Sequence, residues 1–141
     1  MSNEPSLQGG ADAARTLAYA GVLIALATAL GAFGTHALKP VLSPARFDSF
    51  ETGVNYQFFH ALGLLAVGFA QRAHPESNGL WWAQRLILIG LLFFCGSIYA
   101  LTFGAPRFFG MVAPIGGLAL MAAWVTFAVT AWRLRRQPTK S

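Results

Sequence analysis

At 141 residues the chain is the size of one domain, with 55% hydrophobic residues, 11% charged residues and a formal net charge of +5. A soluble domain carries about 25% charged residues, so this composition excludes a water-covered globule and points to a membrane protein. The positive balance does not point to nucleic acid, because the basic residues flank apolar runs and form no aromatic-interleaved basic patch.

Residues 1–15, mostly small and polar, read as a disordered tail. Thr16 to Thr35 then gives 20 positions without a charge, enough for a hydrocarbon crossing that takes about 20 apolar residues. The run is long for the h-region of a signal peptide, typically about 7–15 residues, so it is read as a retained span. Gly21, Ala25, Thr28, Ala32 and Thr35 recur along it at spacings of four and three, and Gly31 and Gly34 extend the same small-residue surface. Small residues let membrane helices approach closely.

The connection "LKPVLSPARFDSFE" follows. Ser43-Pro44 fits an N-cap with proline at the first helical position. Phe47, Phe50 and Val54 share one helical face, so a short interfacial helix is expected to lead into the second span. Glu51 is a candidate partner for Arg46 or for Arg107. The second span, 53–71, holds "TGVNYQFFHALGLL", in which Gly53, Tyr56, Gln57, His60 and Leu64 fall at helical spacings. Polar groups facing lipid would be unsatisfied, so this face is expected to point inward. His60 lies seven residues past Gly53, roughly 10 Å along a helix rising about 1.5 Å per residue.

"RAHPESNGLWWAQR" reads as a turn-rich loop with Trp81 and Trp82 as interface anchors. The third span, 86–104, carries Cys95, the only cysteine, which excludes an intrachain disulfide and a cysteine-rich metal site. Gly90, Ser97 and Gly104 are its expected close-packing positions. Arg107 is the only charge between the third and fourth spans, a candidate to meet Glu51 or Asp48. The fourth span, 111–132, presents Pro114, Gly117, Met121 and Trp124 on one face, with Gly116 beside it. Residues 133–141 form a basic tail.

The continuous apolar runs lack the two-residue alternation of a barrel strand, so the expected fold is an all-α, integral membrane four-helix bundle over residues 16–132. Seven Lys and Arg residues flank the N-tail, the second loop and the C-tail, against three in the other two loops. Both termini are therefore expected on the cytoplasmic side. By chain direction, His36 at the end of span one, the polar start of span two, "GSIYALTFG" and "APIGG" share the opposite half of the membrane. There Tyr56, Gln57, His60, Ser97 and Tyr99 are expected to join in one polar cluster, with His36, Glu51 and Arg107 at its mouth. Gly31, Gly34, Gly53, Pro114, Gly116 and Gly117 are expected to give the close packing around it.

Together "GAFGTHAL", "FETGVNYQFFHALGLL", "CGSIYALTFG" and "APIGG" resemble the domain of unknown function 423 family, small four-helix membrane proteins that include transmembrane protein 256. The resemblance runs from about Ala18 to Trp124. It implies an integral membrane protein, in bacteria usually of the inner membrane, and supplies no activity and no catalytic residues. Where family members commonly have "GAFGAH", this chain has Thr35 before His36.

Three function classes follow. The first is a non-catalytic interaction or accessory bundle, embedded in the lipid bilayer, partnered by further copies or by a larger membrane complex, in which the polar residues act as interhelical glue. The alternative is binding or translocation of a small ligand, a proton or a quinone-like lipid at the cluster around His60, since intramembrane ionisable residues mark such sites. The second alternative is a haem or other cofactor protein using His36 and His60, which their different depths make awkward. No acid lies within a span, and neither a Ser-His-acid spacing nor an HExxH motif occurs. The expectation is therefore no catalytic residue, no metal and no cofactor.

Overall fold

The computed structural model describes residues 4–135, with side chains from residue 10 onward. Four long helices dominate it: α1 (Glu4–Phe33), α2 (Pro44–Ala73), α3 (Asn78–Thr102) and α4 (Val112–Leu134). A π-helical turn, Gly34–Leu38, continues α1, and a 3-10 turn, Arg107–Met111, leads into α4. No strand occurs among the described residues.

Three stretches are long and apolar enough to cross a bilayer: Gly10–Leu38, Asn78–Thr102 and Arg107–Leu134. α2 equals α1 in length at 30 residues, about 45 Å at ~1.5 Å per residue against a hydrocarbon core of about 30 Å. Asn55, Gln57, His60 and Gln71 lower its mean hydropathy. Packing explains how such a helix sits in the bundle. Along α1 and α2, Gly34 lies against Phe50 while Gly68 lies against Leu17. Along α2 and α3, Gly53 meets Ile98 and Tyr99 while Gln71 bonds to Gln84. The register is antiparallel in both pairs, so α2 is held along its length between two apolar helices. α4 runs antiparallel to α3, with Gly116 against Phe94 and Gly79 against Thr130. α1 and α4 do not pack closely on each other.

The main core draws on all four helices: Ala20, Leu64, Val67, Ile87, Leu91, Leu120 and Ala123. A smaller cluster of Leu38, Phe47 and Phe50 closes the end where α1 gives way to α2. The outside is as apolar as the inside, with Val22, Phe59, Leu92, Leu118 and Val125 all exposed. Soluble monomers rarely expose apolar patches larger than a few hundred Å². Lipid accepts such a surface, and helix association then rests on close packing and on hydrogen bonds.

The boundaries differ from the sequence expectation in several places. Residues 4–15 are helical rather than a disordered tail. Ala13 and Thr16 are fully buried, and Leu17 packs on Gly68 of α2, so tertiary contact carries the helix past the apolar run. Residues 1–3 and 136–141, the outer parts of the two expected tails, lie outside the described residues. The interfacial helix before span two is the uninterrupted first part of α2. Ser43 precedes Pro44 at the helix start, as the sequence indicates, although the Ser43 side chain makes no cap bond. The turn-rich loop is shorter than expected, because α3 already starts at Asn78.

The close-packing positions also need correction. A Cβ at Gly34 would lie 2.6 Å from the Phe50 ring and one at Gly53 would lie 3.0 Å from Tyr99, whereas one at Gly31 would meet Val54 at an ordinary 3.7 Å. On α4 the buried face is Gly116, Leu120 and Ala123. Pro114 and Met121 are exposed, so the expected face is turned by one residue, and Pro114 occupies the first turn of α4, where proline is tolerated. A Cβ at Gly104 would meet no neighbour. This glycine ends α3 at a φ of 92°, a conformation that glycine adopts without a Cβ penalty.

Candidate functional site

Gln57 is the centre of the polar constellation. It is buried on α2, and its side-chain amide works in both directions. Nε2 donates to the Leu23 carbonyl of α1 at 3.0 Å, while Oε1 accepts from the Tyr99 hydroxyl of α3 at 3.0 Å. One side chain thus ties three helices. Cys95 adds a further contact nearby, its thiol donating to the Gly53 carbonyl at 3.3 Å.

The expected five-residue cluster is divided. Gln57 and Tyr99 meet. Tyr56 and His60 lie on a neighbouring face, where their rings stack at 5.5 Å between centroids. Tyr56 also packs on Phe94 at 4.6 Å, and His60 on Trp124 at 6.0 Å. The reason is angular. Consecutive residues of an α-helix point about 100° apart, so Tyr56 and Gln57 cannot aim at one point. Ser97 and Tyr99 differ by about 200° on the same count. Ser97 is buried but donates to the Phe94 carbonyl of its own helix at 2.9 Å. His60 Nδ1 lies 2.8 Å from the Tyr56 carbonyl. A carbonyl only accepts, so Nδ1 is the donor in this contact.

The expected mouth residues do not assemble. His36 is exposed on the π-helical turn, and Glu51 and Arg107 are exposed on different elements. Neither Arg107 nor Arg46 makes an ion pair with Glu51 or Asp48 among the described residues. Arg46 instead donates to the carbonyls of Leu101 and Thr102 at the end of α3. Terminal helix carbonyls lack intrahelical donors and carry partial negative charge, so a cation held there is stabilised. It also fixes the start of α2 to the end of α3. The sequence holds a signal for this contact, an arginine in the first turn of a helix that begins where another must end.

A second polar tie lies outside the sequence expectation. Gln71 of α2 is fully buried, and its Nε2 donates to Gln84 Oε1 of α3 at 3.1 Å. It lies at the end of the bundle opposite Arg46. Gln84 falls inside the stretch that reads as a loop, which conceals it. Gln71 Oε1 is buried without a partner.

Chemically, this arrangement joins helices. Among the described residues no group of three or more His, Cys, Asp or Glu gathers in a way that could hold a metal. The rings of Tyr56 and Trp124 pack on His60, and no contact joins His60 to His36 among the described residues.

Comparison with known proteins agrees with this architecture. Residues 30–117 match the model of a family described as protein of unknown function (DUF423). The chain is 37% identical over 103 residues to a UPF0382 membrane protein of Staphylococcus haemolyticus, covering 73% of this chain and 83% of that one. It is 32% identical over 121 residues to the UPF0382 inner membrane protein YgdD of Escherichia coli K12, covering 86% of this chain and 92% of that one. A UPF0382 membrane protein of Staphylococcus saprophyticus is 33% identical over 109 residues, covering 77% and 89%. No solved structure matches. The matched region holds the end of α1, all of α2 and α3 and the start of α4, which contain Gln57, Tyr99, Arg46 and the Gln71–Gln84 pair; this all-helical membrane protein belongs to the DUF423 family of unknown function.

Proposed function

We propose that the chain is a non-catalytic interaction or accessory protein of the inner membrane, with four crossings and both termini in the cytoplasm. The observation that carries the reading is the use made of its intramembrane polar groups. Gln57, Tyr99 and the Gln71–Gln84 pair are each engaged in joining the chain's own helices, and His60 is bonded to its own helix. A ligand or proton site built on one shared cluster would need these groups to converge, and they do not. Meanwhile α4 buries only Gly116, Leu120 and Ala123, and its outer face, with Leu118, Met121 and Val125, is apolar and exposed. That face is available to another membrane helix. The cytoplasmic placement of the termini is supported by the seven-to-three asymmetry of basic residues.

The test is site-specific photo-cross-linking in living cells at Met121 and Val125 on α4, with Ala123 of the buried face as the internal control. The reading expects a discrete protein adduct from the outward positions and none from Ala123. Lipid adducts alone at both outward positions would count against an interaction role for α4.

A further inference from the structure

We propose that the chain binds the phosphate group of an anionic phospholipid in the cleft between the first part of α1 and the first part of α3. The cleft has a volume of about 410 Å³ and is lined by Asp12, Arg15 and Tyr19 from α1, and by Trp82, Gln84 and Arg85 from α3.

Topology places the site. α1 and α3 run in the same direction, each antiparallel to α2 between them. Arg15 directly precedes the charge-free run that starts at Thr16, and Arg85 directly precedes the one that starts at Leu86. Two guanidinium groups therefore stand at one depth, at the edge of the hydrocarbon. Tyr19 and Trp82 are exposed beside them, as aromatic residues at the headgroup level are.

Charge sets the ligand class. Arg15 pairs with Asp12 at 2.9 Å. Arg85 has no acidic partner among the described residues and stacks over the Trp82 ring at 5.5 Å. Two arginines and one aspartate leave the cleft at +1, which a phosphodiester of charge −1 balances. Gln84 is nine-tenths buried in the cleft wall, with Oε1 taken by Gln71 and no acceptor for Nε2 among the described residues. It supplies neutral N–H donors next to the two forks. Arginine matches phosphate oxygens in a bidentate manner, and the rings of Trp82 and Tyr19 suit the glycerol and upper acyl chain. A basic site at the membrane edge attracts anionic lipid with about 1 kcal/mol per Lys or Arg, so one charge corresponds to roughly a fivefold change in affinity.

Native mass spectrometry of the full chain with phosphatidylglycerol or phosphatidylcholine tests the assignment. The expected result is one preferentially retained phosphatidylglycerol, retained about fivefold more weakly by Arg85→Gln. Arg133→Gln, the same charge change on α4, leaves retention unaltered. Asp12→Asn should raise retention about fivefold, a gain that misfolding does not imitate, whereas Glu76→Gln at the same end of the bundle should not. Equal effects of Arg133→Gln and Arg85→Gln, or equal effects of Glu76→Gln and Asp12→Asn, reduce the site to diffuse attraction and overturn it. Inorganic phosphate at millimolar concentration distinguishes the source. Retention that persists supports the lipid, and complete displacement identifies a site for soluble phosphate and overturns the lipid assignment.

Discussion

A glutamine side chain carries both a donor and an acceptor, and at Gln57 each serves a different neighbouring helix. The contributions are modest, because the membrane-embedded unfolded state also finds partners, and interhelical hydrogen bonds average about 0.6 kcal/mol with a maximum near 1.7. Gln57→Leu removes two such bonds at once and should lower stability by about 1–2 kcal/mol in denaturant titration of the purified protein. Tyr99→Phe removes one and should cost about half as much. Tyr56→Phe should be neutral, since the Tyr56 hydroxyl has no partner among the described residues and its ring packing on Phe94 is kept. A double-mutant cycle of Gln57→Leu with Tyr99→Phe measures the coupling directly. Additive effects would mean that the two side chains do not interact. The two neighbours Tyr56 and Gln57 look equivalent as polar residues in an apolar run, and only their angular difference separates a tie from a ring contact.

At the scale of the element, the helices meet backbone to backbone at a few positions, and these set the interhelical distance. A Cβ on Gly116 would fall 2.3 Å from the backbone nitrogen of Phe94, while one on Gly117 would find its nearest atoms at 3.8 Å in the Phe94 ring. Backbone yields less than a flexible side chain. Gly116→Ala should therefore destabilise the α3–α4 pair by about 1–3 kcal/mol, the usual range for overpacking, and Gly117→Ala should be tolerated. Equal melting temperatures for the two variants would contradict so close an approach of α4 to the α3 backbone. On the α1 side the contrast is one of distance alone, since a Cβ on Gly34 would meet the Phe50 ring at 2.6 Å and one on Gly31 the Val54 side chain at 3.7 Å. Much of the element scale is legible in the sequence. Charge-free runs disclose every helix, and Ser43-Pro44 discloses the start of α2. What is not legible depends on tertiary contact. The first turns of α1 are held by burial of Ala13 and Thr16, which no local pattern announces. Asn78 and Gly79 read as loop residues, yet they open α3, where Gly79 receives Thr130 of α4. On α4 a run apolar on all sides gives no phase, so the face expected from spacing falls one residue away from Gly116, Leu120 and Ala123.

At the scale of the whole molecule, direction and charge are coupled. Antiparallel packing of each consecutive pair puts the starts of α1 and α3 and the ends of α2 and α4 on one side. Arg15, Arg72, Arg85, Arg133 and Arg135 gather there, five of the seven basic residues assigned to that side, and the remaining two follow in the C-terminal tail. Lys39, Arg46 and Arg107 belong to the other side, where Arg46 donates to the α3 carbonyls. Basic residues in short loops resist translocation, and this is the ground for the proposed orientation, with the richly basic side in the cytoplasm. Single cysteines at Ser6 and Ser43, each in a Cys95→Ser background, report the outcome in intact spheroplasts. An impermeant maleimide should label the Ser43 position and reach the Ser6 position only after lysis. Because each helix is packed antiparallel to the next, one inverted label inverts all four. Labelling at Ser6 with protection at Ser43 would place the Arg15–Arg85 cleft on the outer face and reverse the proposed orientation.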